Sequence, residues 1–95
     1  MKKYELTVIL KPHFEEEPAK AEFEKIQALI TRFGGTVEKV DIWGKRRLAY
    51  EIQKIREGIY CFITFQAEPE TPAEIESRLR IAEEVLRYLI VCIDE

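Results

Sequence analysis

The order in which two hydrophobic periods follow one another constrains the fold of this chain more than any other feature. Residues 3–10 alternate, with Tyr4, Leu6, Val8 and Leu10 on one face and Glu5, Thr7 and Ile9 on the other, which is the pattern of a strand. Lys11-Pro12-His13 ends it. Glu15, Glu16, Glu17 and Pro18 suit a helix start, where carboxylates meet the positive end of the helix dipole and proline fits the first turn. Ala19, Phe23, Ile26, Ile30 and Phe33 follow at helical spacing, and Gly34-Gly35 supplies the left-handed stop.

Residues 36–53 read as a second, long strand with an irregularity at Gly44, where the missing Cβ permits a bulge or bend. Lys54-Ile55-Arg56-Glu57-Gly58 reads as a turn, and Ile59 to Ala67 as a third strand hairpinned to the second. Thr71-Pro72-Ala73-Glu74 has the capping-box pattern, with a short helix buried through Ile75 and Leu79 after it. Val85 to Ile93 is the last strand. The resulting order β-α-β-β-α-β is the α+β, ferredoxin-like split βαβ plan, a four-stranded antiparallel sheet with two helices on one face. The alternation turns Leu6, Val8, Cys61, Ile63, Phe65, Tyr88, Ile90 and Cys92 toward the helices. Ile9, Tyr60, Phe62, Leu89 and Val91 then line the uncovered side, an apolar surface suited to docking a partner protein. The third and fourth strands flank the first, so Cys61 and Cys92 lie roughly 10 Å apart, too far to bond.

Composition narrows the functional classes. A chain of 95 residues is expected to form one domain over residues 1–95. With 46% hydrophobic and 35% charged residues, and no apolar run near the roughly 20 residues that span a membrane, no membrane role is expected. The N-terminus opens straight into alternating sequence without the apolar segment of a signal peptide, so a cytoplasmic location is the default. Two cysteines in apolar runs read as reduced core thiols rather than a disulfide framework. The formal net charge of −3 excludes indiscriminate nucleic-acid binding, so an anionic partner needs a local patch.

Such a patch stands in Gly44-Lys45-Arg46-Arg47-Leu48-Ala49-Tyr50-Glu51-Ile52, where three consecutive cations sit within strand-like sequence. Alternation sends Lys45 and Arg47 to one face and Arg46 to the other unless Gly44 bends the ribbon. Arginine's planar fork of donors matches phosphate, which makes Arg46, Arg47, Arg80 and Arg87 the principal candidates for RNA backbone contacts. Lys45, Lys2 and Lys3 support them, and Tyr50 or Tyr4 could pack on a ribose or base. For Arg78 and Arg80 the competing reading is ion pairing with Glu74, Glu76, Glu83 or Glu84.

In these segments the chain resembles the bacterial small-subunit ribosomal protein six family. The resemblance covers essentially the whole chain. It rests on Lys3-Tyr4-Glu5, Val37-Glu38-Lys39-Val40, the block from Gly44 to Ile52, Gly58-Ile59-Tyr60, and Leu79-Arg80-Ile81 with Val85 and Arg87. It implies a structural protein of the 30S platform that binds the central domain of 16S ribosomal RNA and forms a heterodimer with small-subunit protein eighteen. It implies no cofactor and no small-molecule substrate. Many family members carry a polar tail beyond the last strand, whereas this sequence ends at Ile93-Asp94-Glu95, and contacts made by such a tail are not expected here.

Other classes fare less well. Acylphosphatases share the topology but position water with an asparagine, and this chain has none. His13 and Ser77 are each the only residue of their type and lie far apart in sequence, and two cysteines 31 positions apart lack metal-site spacing. An RNA-recognition motif would stack bases on strand aromatics, but Glu57-Gly58-Ile59-Tyr60-Cys61-Phe62-Ile63-Thr64 misses that register. The remaining alternative is a ferredoxin-like regulatory or oligomerisation domain that pairs through its open sheet without RNA.

Overall fold

The computed structural model describes residues 1–93. The elements run β1 (Lys2–Leu10), α1 (Glu16–Arg32), β2 (Thr36–Ile52), β3 (Ile55–Ala67), α2 (Thr71–Arg80) and β4 (Val85–Cys92). The four strands form one antiparallel sheet in the order β2-β3-β1-β4. This is the ferredoxin-like α+β arrangement expected from the sequence. Asp94 and Glu95, on which the expectation about a C-terminal tail falls, lie outside the described residues.

The core follows from alternation on the two central strands. Tyr4, Leu6, Val8 and Leu10 pair with Phe65, Ile63, Cys61 and Ile59, and all eight are buried. Against them pack Ala19, Phe23, Ile26 and Ile30 of α1 with Ile75 and Leu79 of α2. Val37 and Val40 of β2, like Tyr88 and Ile90 of β4, are only partly buried because edge strands have a sheet neighbour on one side. α1 ends as Gly34-Gly35 requires. Gly34 takes φ +89°, its N–H donates to the Thr31 carbonyl at 3.0 Å, and Gly35 N–H donates to the Ile30 carbonyl at 2.9 Å, a Schellman closure.

Three local expectations are corrected. The Thr71–Glu74 capping box does not form; Thr71 is buried and its Oγ1 donates to the Phe33 carbonyl at 3.2 Å, tying the start of α2 to the end of α1. The β2–β3 turn is tighter than Lys54–Gly58. Gln53 and Lys54 both adopt positive φ (52° and 66°), as a two-residue primed hairpin turn demands, so β3 starts at Ile55. Cys92 is not a core thiol. It shares the helix-side face with Tyr4, its partner on β1, but sits exposed near the end of the edge strand, while Cys61 is fully buried.

Candidate nucleic-acid interface and the open sheet face

A bulge in β2 decides where each cation of the 45–47 triplet points. Ile42 pairs with Cys61 and Gly44 with Tyr60, so Trp43 is the extra residue and Gly44 takes φ +80°. Before the bulge Asp41 opposes Phe62 on the open face; after it, parity inverts and Gly44, Arg46, Leu48 and Tyr50 take that face. Lys45 points to the other side, into a cavity of about 460 Å³ that it lines with Phe14, Glu15, Glu16, Ala19 and Ile42. Arg46 lies over the Trp43 ring, its guanidinium carbon 5.9 Å from the ring centroid. Arg47 is exposed opposite Glu57.

The long hairpin then curls across the sheet toward β4. The Tyr50 hydroxyl accepts a hydrogen bond from Arg87 at 2.6 Å, and the Arg87 guanidinium carbon sits 5.8 Å from the Tyr50 ring centroid. Residues 46 and 87, far apart along the chain, are thereby joined through one strand segment of four residues, roughly 13 Å. At the tip, Gln53 borders a hollow with Arg80 and Arg87. Arg46, Arg47, Arg80 and Arg87 form no ion pair among the described residues, so the carboxylates anticipated beside Arg80 do not neutralise it. Arg78 instead lies over the Phe33 ring at 5.6 Å.

Lys2 and Lys3 stand apart from this group. β1 starts at the end of the sheet where β3 finishes, Lys3 pairing with Gln66, so both lysines lie a strand length from Arg87. Lys3 makes an ion pair with Glu38 at 3.4 Å, and Gln66 donates to the same carboxylate. Tyr4 is a core residue stacked on Phe65 at 5.6 Å, which leaves Tyr50, 63% exposed, as the tyrosine available to a ligand.

On the open face, Tyr60 and Phe62 are half-buried and Leu89 and Val91 are 57% and 41% exposed. Ile9 is the correction. It lies on this face but is only 7% exposed, because Leu48 from the curled hairpin closes over the same spot; both side chains sit against Gly58, whose missing Cβ leaves room for the Ile9 methyl. The residue that sequence reasoning missed is Trp43. It is 49% exposed and packs edge-on against Phe62, with ring centroids 4.8 Å apart. Its signal was its place just before the bulge glycine, where an extra residue is turned out of the alternation.

A family model for ribosomal protein S6 matches residues 3–92. The chain belongs to the ribosomal protein S6 family. Small ribosomal subunit protein bS6 of Clostridium beijerinckii is 52% identical over 91 residues, 96% of each chain, and that of Clostridium acetobutylicum is 44% identical over the full length of both. The crystal structure of 30S ribosomal protein S6 from Thermotoga maritima superposes with a TM-score of 0.90 at 30% identity, covering 96% of this chain and 86% of that one. The P2 domain of the Thermotoga maritima chemotaxis kinase CheA shares the fold alone, with a TM-score of 0.54 at 14% identity. This S6-family chain is a structural component of the small ribosomal subunit in the bacterial cytoplasm, not an enzyme. No described helix is long and apolar enough to cross a membrane.

Proposed function

We propose that the chain binds the central domain of 16S ribosomal RNA through the arginines of the curled hairpin and β4, and forms a heterodimer with small-subunit protein eighteen through the open sheet. The observation that carries the RNA half is the Tyr50–Arg87 clasp. It holds Arg87 beside the strand segment that bears Arg46 and Arg47, in a protein of net charge −3. Four guanidinium groups without carboxylate partners are available for phosphate, with Tyr50 among them for a ribose or base. Lys45 faces Glu15 and Glu16, and Lys2 and Lys3 lie at the far end, so these three are secondary. The exposed Trp43, Phe62, Leu89 and Val91 support protein docking on the sheet. Membership of the S6 family favours this reading over an RNA-independent regulatory domain.

The test is a salt titration of binding to a central-domain 16S fragment, with protein eighteen present. Affinity should fall steeply with salt. Arg46→Ala with Arg47→Ala should leave the fold intact, weaken binding, and flatten the log–log slope by somewhat under one unit per lost phosphate contact, about 0.7–0.9 each. A folded double variant with unchanged affinity and slope would remove those two residues from the interface.

A further inference from the structure

The open face holds a hollow of about 260 Å³ between β1, β2 and β3, lined by Glu5, Lys39, Asp41, Trp43, Phe62 and Thr64. Small-molecule sites usually measure about 300–1,000 Å³, so this one is scaled to a single side chain. Two of its walls are aromatic and steeply inclined to each other, the Trp43 and Phe62 ring planes meeting at 62°. Two carboxylates accompany them. Trp43 Nε1 donates to Asp41 Oδ2 at 3.0 Å, which orients that carboxylate and leaves its other oxygen free. Neither Asp41 nor Glu5 has an ion-pair partner among the described residues, although Lys39 borders the same hollow.

We propose that this hollow receives one arginine side chain of a basic partner protein docked on the sheet. The inference rests on the docking reading above and names the chemistry of its central contact. Aromatic faces attract a cation, and carboxylates beside them add charge-assisted hydrogen bonds. A guanidinium suits the site better than an ammonium, because it can lie flat on a ring while its edge forks to a carboxylate. The protein already makes half of this interaction internally, since Arg46 lies over the Trp43 ring without lining the hollow. Nucleic acid is disfavoured here because the two carboxylates would face its phosphates. A second copy of the chain is disfavoured too, since both copies would carry a net charge of −3.

Trp43 is the only tryptophan, and it lines both this hollow and the cavity beside Lys45, so its fluorescence reports either site and the carboxylate variant below assigns the signal to the hollow. The probe is N-acetyl-arginine amide, with N-acetyl-citrulline amide as its uncharged counterpart, titrated against the full chain. Saturable change at millimolar arginine probe is expected, at least about fivefold tighter than for citrulline. Asp41→Asn with Glu5→Gln should abolish that preference while leaving thermal unfolding unchanged, because asparagine still accepts the indole hydrogen bond. The same double variant should weaken binding to protein eighteen by about tenfold. Equal binding of both probes, or a double variant that keeps the preference, overturns the proposal. So does sedimentation showing that the hollow is occupied by a second copy. Normal binding of protein eighteen by the double variant defeats the arginine contact and leaves docking on the sheet standing. Failure of protein eighteen to bind the unaltered chain defeats the docking reading, and the small-molecule titration still decides the hollow.

Discussion

At the scale of single residues, burial changes chemistry where the sequence alone shows only a type. Cys61 is fully buried between Val8 and Ile42, its partners on the two flanking strands. Burial in apolar surroundings, with the Asp41 charge as a smaller contribution, pushes its thiol from 9.0 up to about 12. The folded protein therefore keeps this proton at pH values where the unfolded chain has released it, and stability falls as pH rises through that window. Between about pH 9 and 12 this thiol should lower unfolding free energy by up to about 1.4 kcal/mol per pH unit. Urea denaturation across that range checks it. Cys61→Val should show a shallower alkaline decline than the unaltered chain, whatever its stability at neutral pH. A parallel decline would refute the assignment to Cys61. Trp43 shows the converse case, in which one inserted residue on β2 creates a feature of the surface.

At the scale of elements, the two helices are joined less by their own caps than by each other. Thr71 looked like half of a capping box, yet its hydroxyl bonds the Phe33 carbonyl in the segment that ends α1. A local hydrogen bond lost to a long-range one because Thr71 is buried as the first residue of α2, with Glu70 in the N-cap position. Replacing Thr71 by Val keeps shape but leaves that carbonyl without its partner, and should cost about 1 kcal/mol. Glu74→Gln should change stability by less than about 0.5 kcal/mol, since Glu74 caps nothing. Chemical denaturation of the two variants checks both expectations, and the reverse order would restore the capping box. The β2–β3 hairpin is the other element whose role is tertiary. Its strands were legible in the alternation, but its curl toward β4 depends on the Gly44 bulge, on Leu48 closing over Ile9, and on the Tyr50–Arg87 bond.

At the scale of the whole molecule, charge is sorted into two regions that the net value of −3 conceals. Arg46 and Arg47 of the hairpin and Arg87 of β4 have no carboxylate partner among the described residues, while the aromatic hollow on the open face holds Asp41 and Glu5 with a single lysine, Lys39. On the proposed function, these two regions would hold two partners of opposite charge at once. The expectation is that Asp41→Asn with Glu5→Gln leaves affinity for the 16S fragment, measured without protein eighteen, within about twofold, because neither carboxylate pairs with a guanidinium and Trp43 alone links Asp41 to Arg46. A large change in RNA affinity, measured by filter binding at fixed salt, would mean that the two regions act as one. Arg46 lies where they meet, because its guanidinium covers the ring that forms a wall of the hollow.

The sequence by itself determined the element order, the sheet topology, the buried stripe of α1 and the glycine stop that ends it. These follow from short-range periodicity and from the few backbone conformations that each residue type allows. It also located the cationic block and the family resemblance that carries its meaning. Tertiary structure alone decided which face each cation takes, because one bulged residue inverts the alternation beyond it. It decided as well that Tyr50 meets Arg87, that Ile9 is covered, that Cys92 is exposed, and that Trp43 stands beside Asp41 and Phe62. Each of these depends on contacts between strands or on the position of an edge, and such contacts arise only when distant segments pack.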